Sequence, residues 1–130
     1  MILDSSVVLA IMFGEAGYEV FLEGIKKATT CSVSAATFVE ISIVAESRTG
    51  DSGIRQRDAV FRVARIKIQP VTEEQAHIAS QAYSTYGKGR HPAGLNFGDC
   101  FSYALAKASG EPLLFKGNDF RQTDVEAALP

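Results

Sequence analysis

Short apolar runs alternate with longer stretches of helical periodicity along the whole chain, and that alternation admits few architectures. Met1-Ile2-Leu3, Thr29 to Val33, Ile66-Lys67-Ile68 and Leu113-Leu114-Phe115 are short, apolar or β-branched, and read as strands. Between them the spacing predicts helices from Val7 to Met12, from Glu19 to Lys27, after Ser34 to Arg48, from Ser52 to Arg65, after Thr72 to Tyr86, and after Asn96 up to Gly110. Ser34 and Asn96 supply N-caps, and Thr72 with Gln75 has the spacing of a capping box. Ala76, Ala79, Tyr83 and Tyr86 form the predicted apolar stripe of the fifth helix. Gly87 to Gly98 is a glycine-rich loop and Gly117 to Asp124 a polar one. The expected fold is α/β, with a mostly parallel central sheet, right-handed crossovers and helices on both faces.

At 130 residues the chain has room for one domain, residues 1–130. Hydrophobic residues make up 46% and charged residues 22%, which argues against disorder. Two cysteines, Cys31 and Cys100, are too few for a disulfide framework and are not in C-x-x-C spacing. They are expected to be reduced, buried thiols in a cytoplasmic protein. The start lacks the pattern of a signal peptide, and no charge-free apolar run reaches the roughly 18 residues of a membrane span, so no membrane association is expected. The formal net charge of −2 excludes a generally basic nucleic-acid coat. Binding to an anionic polymer would need a local basic patch or a metal ion.

Topology draws four acids together. Asp4 directly follows the first strand, and Glu40 lies in the second turn of the helix after the second strand. Asp99 is in the first turn of the helix that leads back into the last strand, and Asp119 lies just beyond that strand. All four fall at the carboxyl edge of a parallel sheet, where ligands of such folds bind. Each acid except Glu40 also has a structural reading: Asp4 and Asp119 as turn residues, Asp99 as an acid favoured at a helix N-terminus. Glu40 sits among Phe38, Val39, Ile41, Ile43 and Val44 with no Lys or Arg within one helical turn. An ionised carboxylate is costly to bury alone, so Glu40 must reach a polar cleft or meet a cation.

Clustered carboxylates repel one another, and a divalent ion removes the conflict. Oxygen-only ligands favour Mg²⁺ or Mn²⁺ over Zn²⁺, and such a site suits metal-assisted phosphodiester hydrolysis. Setting these four acids aside leaves 13 basic to 11 acidic residues, so the negative balance is in part the signature of the site itself.

The motifs also resemble a known family. Met1-Ile2-Leu3-Asp4-Ser5-Ser6-Val7-Val8 resembles the opening of PIN-domain ribonucleases. Leu95 to Ala106, with Gly98-Asp99-Cys100, resembles their third acidic motif. Pro112 to Phe120, followed by Thr123-Asp124, resembles their C-terminal motif. In this order and length the motifs resemble VapC, the toxin of bacterial VapBC toxin–antitoxin pairs, over essentially the whole chain. The resemblance implies a single PIN-like domain and a Mg²⁺- or Mn²⁺-dependent endoribonuclease. It implies cleavage of structured RNA such as tRNA or rRNA, a homodimer, and a cognate VapB antitoxin that blocks the active site. Asp4 and Asp99 match the primary metal ligands, Glu40 the acid of the second motif's helix, and Asp119 the fourth, more variable acid. Ser5, Asn118 and Thr123 match polar residues that position ligands or substrate. The family fold implies a short last strand near Val125, whereas Thr123 and Glu126 have the spacing of a capping box for a final helical turn.

Basic residues near this edge are candidates for gripping an RNA backbone: Lys116 and Arg121, which flank Asp119, and Lys88 and Arg90 in the glycine-rich loop. Arg55, Arg57, Arg62, Arg65 and Lys67 form a second basic run, read either as an RNA-facing patch or as a solvated helix face with Asp58 paired to Arg55 or Arg62. His77, beside Ala76 and Ile78, is expected to be structural. Phe13, Tyr18 and Phe21 are read as core or as the lining of an antitoxin groove. Two other readings compete with a nuclease. One is a non-catalytic module on the same fold that holds RNA or a partner. The other is a phosphotransfer domain with Asp4 as nucleophile, which would need a second acid where the chain has Ser6.

Overall fold

Successive residues of the short strands point to opposite sides of the sheet, and this divides the core in two. The computed structural model describes residues 1–130. Ile2 and Leu113 join one buried cluster with residues of the last two long helices. Leu3 and Leu114 join the other, with residues of the first four helices. The elements in chain order are β1 (Ile2–Leu3), α1 (Ser5–Phe13), α2 (Tyr18–Lys27), β2 (Cys31–Ser34), α3 (Ala35–Thr49), α4 (Asp51–Val63), β3 (Ile66–Gln69), α5 (Glu73–Tyr86), α6 (Phe97–Ser109) and β4 (Leu113–Leu114). All strand pairings are parallel, in the order β3-β2-β1-β4. No single helix is long and apolar enough to cross a membrane.

The expected α/β architecture is present, with local shifts. The second strand begins at Cys31 rather than Thr29, and Phe115 falls outside β4. α4 stops at Val63 because Arg65 adopts a left-handed φ of 53°, which turns the chain into β3. Thr72 accepts from the Gln75 N–H at 3.1 Å, but the Gln75 side chain makes no return bond, so only half of the predicted capping box forms. The packed face of α5 differs from the predicted stripe. Ala79, Ala82, Ile78 and Tyr86 face the core, while Ala76 and Tyr83 are exposed. Small Ala82 permits close approach to α6, and its contribution was not visible from the larger side chains. His77 is not structural either: its side chain is 81% exposed, 3.8 Å from Glu73.

After the 3₁₀ turn Phe120–Gln122 the chain makes a one-residue parallel bridge, Leu113 to Ala127. The Leu113 N–H donates to Glu126 O and the Ala128 N–H to Leu113 O, each at 2.9 Å. The expected last strand near Val125 is therefore reduced to a bridge two residues later. The alternative final helical turn does not form, because the open edge of β4 captures this backbone. Cys31 and Cys100 are free and buried, and burial pushes both thiols up, Cys100 to about 11. Both are thus inert in the core.

Candidate active site

Asp4 ends β1 because its side chain begins α1. As N-cap it accepts from the Ser6 N–H at 3.1 Å and the Ser6 hydroxyl at 2.7 Å, both on Oδ2. Its Oδ1 accepts from the Ser102 hydroxyl at 2.7 Å. Asp4 is only 3% exposed, and three donors plus the N-terminus of α1 stand in for water. Ser102 has one proton and gives it to Asp4. The 3.3 Å contact between Ser102 Oγ and Thr37 Oγ1 is therefore donated by Thr37. Thr37 lies one turn before Glu40 on α3, and Ser102 one turn after Asp99 on α6. A buried chain of hydroxyls thus links the helices of two acids to the third.

Asp99 closes a reciprocal capping box. The Asn96 side chain accepts from the Asp99 N–H at 2.9 Å, and Asp99 Oδ2 accepts from the Asn96 N–H at 3.0 Å. The structural reading of Asp99 is therefore correct, and it occupies one carboxylate oxygen. Burial, opposed by the Asn96 N–H and reinforced by the charges of Asp4, Glu40 and Asp119, pushes the Asp99 carboxyl up to about 7. The charges of all three other acids reach Asp99.

Glu40 is half-buried on α3. Burial raises its carboxyl, a hydrogen bond from Ser5 lowers it, and the charge of Asp4 raises it. Its carboxylate lies against the first turn of α6, where a Cβ built on Gly98 would come within 2.2 Å of Oε2. Asp119 is exposed, starts the 3₁₀ turn and makes no side-chain cap. None of the four acids forms an ion pair with a Lys or Arg. At the same time no three His, Cys, Asp or Glu side chains gather closely enough to form a closed ligand set. All four acids offer only oxygen as a donor.

The other candidates divide. Ser5 begins α1 and lies beside the Glu40 carboxyl. Asn118 is exposed, and its carbonyl accepts from the Arg121 N–H. Thr123 uses its hydroxyl within its own turn, donating to Phe120 O at 2.7 Å and accepting from the Val125 N–H at 3.3 Å. Lys116 pairs with Glu15 at 2.6 Å. Arg121 donates to the backbone oxygens of Leu129 and Pro130 and lies over the Phe115 ring. Lys88 is exposed without an ion pair, and Arg90 lies 5.7 Å from the Tyr83 ring centroid. In the other basic run Asp58 pairs with its neighbour Arg57 at 2.8 Å, not with Arg55 or Arg62. Sequence reading missed Ser6, Thr37, Gly98 and Ser102. Their signal was helical spacing: Thr37 and Ser102 are small polar residues three positions from an acid, on otherwise apolar faces.

Fold and site together give a parallel α/β sheet with acidic residues at its carboxyl edge. Residues 1–126 match the PIN domain family. The chain is 47% identical over 127 residues to Ribonuclease VapC of Mycolicibacterium smegmatis, covering 98% of both chains. It is 45% identical over 131 residues to Ribonuclease VapC30 of Mycobacterium tuberculosis, covering 100% of both. Among solved structures, VapC20 of Mycobacterium tuberculosis, described as a sarcin–ricin loop cleaving toxin, superposes with a TM-score of 0.75 at 14% identity over 95% of each chain. VapBC2 of Rickettsia felis, bound to a promoter DNA fragment, gives 0.76 at 13% identity over 97% of this chain and 95% of that one. The chain belongs to the PIN-domain family, among its VapC ribonucleases.

Proposed function

We propose that the chain is the toxin of a VapBC-type toxin–antitoxin pair, and that it cuts RNA phosphodiester bonds with Mg²⁺ or Mn²⁺ held by Asp4, Glu40, Asp99 and Asp119. One observation carries this reading: four convergent carboxylates, none paired to a base, one of them pushed up to about 7 by burial and by the other three. The donor set fits a hard divalent ion, since it is all oxygen. Mg²⁺ keeps several waters and takes few protein ligands, so it would need only part of this set. An ion held by these residues would supply Lewis acidity and a more acidic bound water.

The protein's own residues prepare the site. Ser6 and Ser102 hold the Asp4 carboxylate in one orientation, with each oxygen already hydrogen-bonded. The Asn96 N–H fixes Asp99 Oδ2 and leaves its other oxygen outside the capping box. Lys88, exposed and without an ion pair, is the readiest cation for an RNA phosphate. Lys116 must first leave Glu15, which makes it a contact formed only when substrate competes for it.

The same reading includes a VapB antitoxin, a homodimer, a tRNA- or rRNA-class substrate and a cytoplasmic location. A groove lined by Val20, Phe21, Phe115 and Arg121 beside Asn118 offers the antitoxin an apolar seat. Val39 and Ile43, 53% and 60% exposed on α3, offer apolar surface for a second copy.

The test is RNA cleavage by purified, antitoxin-free protein. Cleavage with Mg²⁺ or Mn²⁺, abolished by EDTA and by Asp99→Asn without loss of fold, is the expected result. No cleavage with either metal, or full cleavage by the variant, overturns the proposal. RNA retention without cleavage would favour the non-catalytic module, and phosphate release from small phosphoesters the phosphotransfer domain.

A further inference from the structure

We infer that Gly98 is a positioning residue that keeps room for the Glu40 carboxylate at the acidic cluster. The inference rests on the proposal that Glu40 is part of the metal site. Gly98 is the second residue of α6, directly before Asp99, and its φ is not left-handed. Backbone conformation therefore does not demand glycine. Intrinsic propensity opposes it, since alanine is the better helix residue at such a position. What excludes a side chain is Glu40: a Cβ at Gly98 would lie 2.2 Å from Oε2, 2.8 Å from the carboxyl carbon and 3.0 Å from Oε1.

All three nearest atoms belong to the end of one flexible side chain, and none to backbone. A methyl group there is accommodated by turning Glu40 away, which leaves the helices in place. The carboxylate would then leave the α6 turn that carries Asp99 and lose its placement beside Ser5. Gly98 touches no reacting atom and acts through Glu40 alone.

The test uses the full chain and three measurements: metal-free Tm, Mn²⁺ affinity by calorimetry, and RNA cleavage. Gly98→Ala is expected to keep or raise Tm while weakening Mn²⁺ binding about 10-fold, the scale of losing a residue that orients a ligand. A merely structural glycine would lower Tm instead. Glu40→Asp, one methylene shorter, is expected to weaken Mn²⁺ binding in the wild-type background and to be neutral or restorative beside Gly98→Ala. Wild-type Mn²⁺ affinity in Gly98→Ala, or equal effects of Glu40→Asp in both backgrounds, would overturn the inference. The Tm cycle does not depend on catalysis. Gly98→Ala should raise metal-free Tm more in a Glu40→Ala background than in wild type, and equal gains refute the contact. If wild-type protein neither binds Mn²⁺ nor cuts RNA, the nuclease reading fails, and this cycle alone decides the Gly98–Glu40 coupling.

Discussion

Helix α3 meets two neighbours across a glycine, and the two seams behave differently. Against α4, a Cβ on Gly53 would lie 2.2 Å from Ala45 O and 2.5 Å from Thr49 Oγ1. Against α6, a Cβ on Gly98 would lie 2.2 Å from Glu40 Oε2. The distances match, but the first neighbour is backbone and the second is the tip of a side chain. The α4 seam is further braced by Phe38 edge-on to Phe61, by Arg57 over the Phe38 ring, and by Arg57 donating to Ser42 at 2.8 Å. The α6 seam holds the Thr37–Ser102–Asp4 hydroxyl chain and charges without counterions. One face of α3 is scaffold and another is site. Close packing alone does not tell them apart; what the glycine faces does.

The largest effect that separates the seams is in catalysis. Asp99→Asn is expected to lower kcat/KM for RNA cleavage about 100-fold or more, since it removes a metal-holding charge from the site. The same substitution is expected to leave metal-free Tm unchanged or higher, because it removes like-charge repulsion and Asn can still accept in the capping box. A drop in Tm of the kind a core defect causes would erase the distinction between the seams. Across the other seam, Gly53→Ala is expected to cost about 1–3 kcal/mol of stability, read by urea denaturation, as overpacking against a carbonyl that cannot yield. Metal affinity per folded molecule should be unchanged. Loss of Mn²⁺ binding in a still-folded Gly53→Ala protein would show that the scaffold face also controls the site.

An intermediate effect is expected where the site seam is itself buried. Ser102→Ala strips Asp4 of one of three donors and leaves the Thr37 hydroxyl without its acceptor. The expected cost is about 1–3 kcal/mol in denaturation, with weaker Mn²⁺ binding. Thr37→Val should cost less, because Ser102 keeps its bond to Asp4. Equal costs would mean that the hydroxyl chain acts as one unit.

The alternation of strands and helices was legible because burial on both faces of a parallel sheet leaves short apolar runs with nothing to disguise them. The convergence of Asp4, Glu40, Asp99 and Asp119 followed from topology, which needs only strand order and direction. What stayed hidden was what single residues do across helix seams. Ser102 and Thr37 read as ordinary helix residues until α3 and α6 are brought together. Gly98 reads as a weak spot in a helix until Glu40 is found against it. The pairing of Lys116 with Glu15, 101 positions away, has no visible trace in sequence. The rotated face of α5 was missed because small alanines govern close packing while large tyrosines dominate a periodicity count.

The smallest effect follows from charge alone. The Asp99 carboxyl is raised to about 7 in the folded chain, against 3.8 for an unperturbed Asp. Between those values the folded protein keeps a proton that the unfolded chain has lost. Folding is therefore favoured at the acidic end of the window, and the advantage is lost as pH rises towards 7, with no further loss above it. Glu40, also raised, adds to the loss in the same direction. Metal-free protein should lose on the order of 1–2 kcal/mol between pH 4 and 7, after discounting for the solvent that reaches Asp99. Saturating Mg²⁺ or Mn²⁺ should flatten the profile by stabilising the ionised form, and so should Asp99→Asn without metal. Gly53→Ala should lower the whole curve and keep its slope, because the α4 seam carries none of the charge. A metal-free Tm that climbs through this window, or a slope that survives Asp99→Asn intact, would place the titrating groups elsewhere and dissolve the contrast between the two faces of α3.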